Sequence, residues 1–141
     1  MALDTDDGTA GDRLKIYVNG TRINSFGTAS NPSSGLEGSF FNTANPHNIG
    51  YQLSRFPGDF YLAEVNFVDG SALAPTSFGK TDDNGVWQAK DTSDLTFGTN
   101  GFRLQFADNS SNAALGTDTS GNSNTWTVNN LTESSNNLEI S

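Results

Sequence analysis

Residues 56–70 read FPGDFYLAEVNFVDG, and the alternation within them decides the fold class. Over residues 61–68, Tyr61, Ala63, Val65 and Phe67 fall on one side of an extended chain, with Leu62, Glu64, Asn66 and Val68 on the other. That is the period of two of a pleated strand, with an apolar face for a core and a mixed face for solvent or a neighbour. Pro57-Gly58-Asp59 bounds its start, because proline fixes φ and glycine accepts positive φ. The turn pair Asp69-Gly70 bounds its end. Just downstream, Pro75 suits a first helical position and Gly79 a C-terminal stop, so one short turn of helix is expected between them.

Towards the N-terminus, residues 13–23 (RLKIYVNGTRI) carry a hairpin signal. Leu14, Ile16 and Val18 alternate with Lys15 and Tyr17, and Asn19-Gly20 is a favoured two-residue turn because both residues tolerate positive φ. Residues 24–46 form a long, polar, glycine-rich loop broken by Leu36, Phe40 and Phe41, and residues 48–53 form a short strand. Towards the C-terminus come an acidic turn at Asp82-Asp83-Asn84-Gly85 and strands over 86–90 and 101–106, with Phe102, Leu104 and Phe106 facing inward. Residues 107–124 are turn-forming, 126–131 read as a last strand, and the tail from Thr132 is polar. No stretch holds a 3.6-residue apolar stripe, so helices should be nearly absent. The expected class is all-β, an antiparallel β-sandwich of two packed sheets.

Composition narrows the function classes. The chain has 141 residues, enough for one domain or one and a fraction. Its formal net charge is −9, and its seven Lys plus Arg are scattered singly, which argues against the clustered cations that nucleic acid binding requires. Acidity fits solubility and self-repulsion in a crowded assembly instead. The chain contains no cysteine, which excludes disulfides and thiolate chemistry, and a lone His47 excludes a His-rich metal site. No apolar run approaches bilayer-spanning length, so membrane insertion is not expected, and the first residues do not read as a signal peptide.

Three motifs in order carry a family resemblance: LKIYVNG at 14–20, IGY at 49–51, and YLAEVNFVDGSALAPTSFG at 61–79. Together they resemble the second half of a laminin-G-like, concanavalin A-type jelly roll. The continuation through FGKTDDNGVWQAK, GTNGFRLQFADNS and LGTDTSGNSNTWTVNN is similar to domains of tail-fibre and structural proteins of marine bacteriophages. The resemblance implies a β-sandwich in a virion or extracellular setting. Its implied partners are other copies of the chain, other virion structural proteins, or host-surface glycan, in some members with calcium. One departure stands out. Domains of this type carry several strands upstream of the DRLKIYVNG hairpin, whereas here the hairpin comes first and residues 102–106 and 126–131 resemble the opening strands. Residues 1–79 then read as a half-sandwich, 80–131 as strands completing it or beginning a second unit, and 132–141 as a polar tail. The sandwich is expected to close either by permutation within the chain or by strand exchange between chains.

Candidate chemistry is sparse. Asp4, Asp6, Asp7 and Asp12 supply hard oxygen donors that suit calcium, although their spacing is not that of the helix-loop-helix calcium loop and an exposed turn is the favoured reading. For glycan binding, the aromatic faces of Tyr51, Trp87 and Trp126, with Phe56 beside them, are the candidates, and the same rings read as core. A glycosidase needs two carboxyl groups about 5–5.5 Å apart for retention. In EVNFVD, Glu64 has Asn66 beside it where a second carboxylate would stand, and Asp69 falls in the turn, so no catalytic residue is assigned. The expectation is a non-enzymatic structural or surface-assembly subunit of a virion, with a lectin-like adhesion module as the alternative.

Overall fold

The Asn19-Gly20 turn forms as its residue types demand: φ is +49° at Asn19 and +75° at Gly20, both in the left-handed region that a two-residue hairpin turn requires. It joins β3 (Tyr17–Val18) to β4 (Thr21–Arg22), antiparallel, with Tyr17 opposite Arg22 and Val18 opposite Thr21. The structure, a computed structural model, describes residues 1–36, 47–50 and 60–129. Every regular element among these is a short strand or a single 3-10 turn, and none is an α-helix. The class is therefore all-β, built of small antiparallel two-stranded sheets.

The chain forms two units, each from two segments. The first comprises Met1–His47 and Gly70–Thr96. In it β1 (Ala2–Leu3) pairs with β2 (Leu14–Lys15), Ala2 opposite Lys15 and Leu3 opposite Leu14, beside the β3–β4 hairpin. Its second segment holds the expected helical turn, a 3-10 helix over Pro75–Ser77 with proline at its start. Gly79, expected to stop that helix, instead opens β6 (Gly79–Thr81), which pairs with β7 (Trp87–Ala89). Its requirement for glycine has a different cause: a Cβ there would lie 2.4 Å from the Trp87 indole. Gly20 meets the other part of the same ring, with a Cβ placed 2.2 Å from it. The hairpin turn, β6 and Trp87 thus close on one another in a way that allows no side chain at either glycine.

The second unit comprises Asn48–Asp69 and Phe97–Ser141. Here β5 (Val65–Phe67) pairs antiparallel with β8 (Phe102–Leu104), placing Val65 opposite Leu104, Asn66 opposite Arg103 and Phe67 opposite Phe102. One face gathers Val65, Phe67, Phe102 and Leu104; the other gathers Glu64, Asn66 and Arg103. Phe102 lies 5.6 Å from Phe67 and 4.9 Å, edge-on, from Trp126, so the apolar face is an aromatic stack. On its other edge β8 bridges to Asp118 opposite Leu104. Leu104, 2% exposed, and Phe97, 3% exposed, are the buried hydrophobic residues among those described.

Two strands are shorter than their alternation implies. The stretch 61–68 is strand only at Val65–Phe67; Tyr61 is 100% exposed, and Leu62 and Ala63 also face solvent. The partner sets this limit, because β8 spans three residues and Phe106 has a φ of +56°, which takes the chain out of extended geometry. Trp126 to Asn129, expected to begin a strand, have no strand assignment, although the Trp126 N–H donates to the Gly116 carbonyl (2.8 Å). The expected strand at 48–53 bends at Ile49-Gly50, and its remainder, like the tail 132–141, lies outside the described residues.

Candidate functional site

Six of the aspartates act as turn formers. A carboxylate at position i accepts the N–H of residue i+2, closing a loop that resembles a backbone turn. Asp4 takes the Asp6 N–H (3.2 Å), Asp7 that of Thr9 (2.9 Å), Asp82 that of Asn84 (2.9 Å), Asp91 that of Ser93 (2.9 Å), Asp108 that of Ser110 (3.0 Å) and Asp118 that of Ser120 (2.9 Å). Such bonds stabilise the ionised form, and they help to hold the Asp7, Asp82 and Asp108 carboxyls below their ordinary value. The principal cause is the Thr9 N–H for Asp7, the Val86 N–H for Asp82, and the Ser110 hydroxyl for Asp108.

The four N-terminal carboxylates proposed for calcium are divided among such tasks. Asp7 pairs with Lys15 (3.3 Å), Asp12 pairs with Arg22, and Asp4 and Asp6 share a turn. Among the described residues, no three His, Asp or Glu side chains gather closely enough to hold a metal ion. In the first unit Asp4, Asp12, Lys15 and Tyr17 line, with Leu73 and neighbouring alanines, a notch of about 190 Å³. That is below the range of about 300–1,000 Å³ typical of small-molecule pockets.

Of the aromatic candidates, Trp87 is half-buried against Gly20 and Gly79, and Trp126 is half-buried beside Phe102. Neither offers an open ring face of the kind a sugar platform needs on the side so covered. Tyr51 and Phe56 lie outside the described residues. The Glu64 carboxylate accepts from Arg103 Nε (2.8 Å) across the polar face of the β5–β8 pair. The Arg103 side chain is 8% exposed, so this is a largely buried ion pair. Asp69 Oδ2 accepts from Asn100 N (3.1 Å) and Nδ2 (3.0 Å). The carboxylates of residues 64–69 therefore serve as structural partners in this arrangement.

A densely hydrogen-bonded polar group is Asp118, which the sequence places only in a turn-rich stretch. Oδ1 accepts from the Arg103 N–H and the Ser120 N–H (both 2.9 Å), and Oδ2 from the Ser120 hydroxyl (2.9 Å) and the Asn124 N–H (2.8 Å). Thr119 then donates its N–H to the Arg103 carbonyl (2.9 Å), locking the bridge to β8. Burial is the largest single influence on the Asp118 carboxyl and pushes its pKa up; the bonds from Arg103, Ser120 and Asn124 together outweigh it and hold the pKa below 3.8. Further along the same loop, Asn122 and Asn124 reach the carbonyls of the 98–101 segment. The available sequence signal is the Asp-x-Ser spacing, which occurs at Asp69, Asp91, Asp108 and Asp118 and accompanies the turn bond at the last three.

Comparisons with protein-family models, with curated proteins and with solved structures return no match to this chain.

Proposed function

We propose that the chain is a non-enzymatic structural or surface-assembly subunit of a virion, a fibre, decoration or filament component with a laminin-G-like sandwich. The observation that supports this most directly is the state of its strand edges. Each two-stranded sheet has an outer edge with no ladder partner among the described residues, and apolar side chains stand exposed beside the strands of the first unit: Leu3, Ile16 and Val18, the last 57% exposed. Unpaired edges with apolar neighbours recruit further strands. A second copy of the chain, donating its own edge, fits that need and leads to closed rings or extended fibres. Sedimentation velocity across a concentration series tests the reading. An oligomer at micromolar concentration is expected, and a monomer at every concentration would refute it.

A second reading, a lectin-like adhesion module for host-surface glycan, draws on the first-unit notch, where a tyrosine ring, two carboxylates and an ammonium stand together. A glycan array run with and without calcium separates the two: no bound glycan in either condition leaves only the assembly role.

A further inference from the structure

Three asparagines are followed directly by glycine: Asn19-Gly20, Asn84-Gly85 and Asn100-Gly101. At such a pair the glycine nitrogen, with no Cβ beside it, can attack the asparagine Cγ. The attack needs a side chain free to turn, a glycine N–H that can be released and a peptide free to rotate between the two. The fold treats the three pairs differently. Asn100 is tied down, its N–H (3.1 Å) and its amide nitrogen (3.0 Å) both donating to Asp69 Oδ2. Gly101 beside it is buried, and a Cβ there would overlap the Phe97 carbonyl oxygen. Asn19 is exposed, but Gly20 is wedged against the Trp87 indole and the turn is clamped by the pairing of Val18 with Thr21. Rotating that peptide breaks the hairpin or drives it into the ring. Asn84 stands in the open. Asp83, Asn84, Gly85 and Val86 are all exposed at the tip of the β6–β7 hairpin, and nothing beyond its chain neighbours lies within 4 Å of a Cβ built on Gly85. The Asp82 carboxylate takes the Asn84 backbone N–H (2.9 Å), which leaves the side chain free to swing. One exposed bond, from the Gly85 N–H to the Asp82 carbonyl (3.0 Å), occupies the nucleophile, and water replaces it whenever the tip opens.

We infer that Asn84 is a site of spontaneous covalent modification, closing a succinimide with Gly85 and opening to aspartate or isoaspartate. The Gly85 nitrogen gives its proton to hydroxide and bonds to Asn84 Cγ. The Cγ–Nδ2 bond then breaks, and the nitrogen leaves as ammonia with a proton from water, which regenerates the hydroxide. One water hydrolyses the ring. Cleavage at Cγ yields aspartate; cleavage at the backbone carbonyl yields isoaspartate, whose chain runs through Cβ and Cγ. No oxidant or reductant is involved. Isoaspartate lengthens the backbone by one carbon between Asp82 and Val86, a stretch that Asp82 spans closely. Its N–H donates to the Val86 carbonyl (2.8 Å), and its carboxylate accepts the Val86 N–H (2.8 Å). The extra carbon pulls Val86 out of that register, and the new carboxylate joins Asp82 and Asp83. The loosened tip adjoins Trp87, the ring that Gly20 and Gly79 pack against, so the modification weakens the first unit as the protein ages.

Full-length protein held in mildly alkaline buffer, sampled over time, digested and mapped by mass spectrometry tests the inference. The peptide holding Asn84 is expected to gain the mass of an amide-to-acid exchange first, several-fold ahead of those holding Asn19 and Asn100, at a rate rising in proportion to hydroxide. In urea all three should convert at similar rates, since the fold then no longer ranks them. Electron-transfer fragmentation locates the isoaspartate. Asn84→Gln, whose longer side chain closes the five-membered ring no more, should stay unmodified at that position. Aged parent protein should melt below fresh protein, aged Asn84→Gln should not, and fresh Asn84→Asp, with the charge but not the extra backbone carbon, should fall between. Earlier conversion at Asn19 or Asn100 in the folded protein would overturn the site, as would an intact Asn84 there while the urea sample converts. Fully converted protein that melts like fresh protein would overturn the loosening.

Discussion

Replacing Asp118 with alanine removes four accepted hydrogen bonds at once, from Arg103 N–H, Ser120 N–H, the Ser120 hydroxyl and Asn124 N–H. The Ser120 hydroxyl is half-buried and can turn to water, so its loss is small. The Arg103 N–H belongs to a buried residue on β8, and alanine leaves it without this acceptor. At about 1–2 kcal/mol for each of the three N–H groups, the substitution costs roughly 3–6 kcal/mol. That is a large part of the stability of about 5–15 kcal/mol usual for a domain. Asp118→Asn keeps one oxygen for Arg103 and Ser120 but turns an NH2 towards the Asn124 N–H, so it should fall between parent and alanine. Urea unfolding followed by 19F NMR of 5-fluorotryptophan-labelled protein reads the outcome, because Trp87 lies in the first unit and Trp126 in the second. With a slope of about 2 kcal/mol per molar urea, the Trp126 midpoint should move down by about 2 M in the alanine variant. Asp108→Ala is the control: it loses an exposed turn made with Ser110 alone. If Asp118→Ala shifts the midpoint no further than Asp108→Ala, Asp118 does not organise the loop and the reasoning fails.

Other substitutions probe the packing and the carboxylates. Gly79→Ala puts a methyl into the Trp87 indole and should cost about 1–3 kcal/mol by overpacking, partly recovered when Trp87 is also changed to Leu; thermal melts of the three variants show whether the rescue occurs. Leu104→Ala should cost about 2–5 kcal/mol, whereas Tyr61→Ala, at a fully exposed position, should stay within about 0.5 kcal/mol, both read by urea titration. For pH, the folded Asp118 carboxyl lies below 3.8, so its stabilisation is complete above that value and is lost as pH falls through the folded pKa. Unfolding midpoints measured down an acid series should decline only below about pH 4, and less steeply in Asp118→Asn.

What could be read from sequence was what local chemistry decides. Asn19-Gly20 set a two-residue hairpin because both residues accept positive φ, and Pro75 opened a 3-10 turn because it lacks the N–H that a first turn leaves unused. The alternation at Val65 and Phe67 placed both on the apolar face, and β5 and β8, from segments expected to contribute to one sandwich, pair directly. Strand length was not legible, since residues 61–63 alternate as well as 65–67 but have no strand partner among the described residues, and a period of two says nothing about what lies opposite. At Gly79 the helical turn does end just before the glycine, but the packing of Trp87 against it, a second reason for glycine, is visible only in the fold. The Asp118 centre was hidden because its partner Arg103 arrives from another strand.

The two units are interleaved along the chain: Gly70–Thr96 of the first lies between Asn48–Asp69 and Phe97–Ser141 of the second. During synthesis the first unit has all its segments once Thr96 has emerged, while β5 must remain unpaired until β8 follows. Closing that longer loop adds little free energy, since loop entropy grows only with the logarithm of length, but it places the β5–β8 pairing late. No single cut separates the units either: a break after Thr81 strands β7 away from β6, and a break before Gly70 separates β5 from β8. An excised first unit would need Met1–His47 rejoined to Gly70–Thr96 by a new linker, and the remaining two segments would require the same treatment.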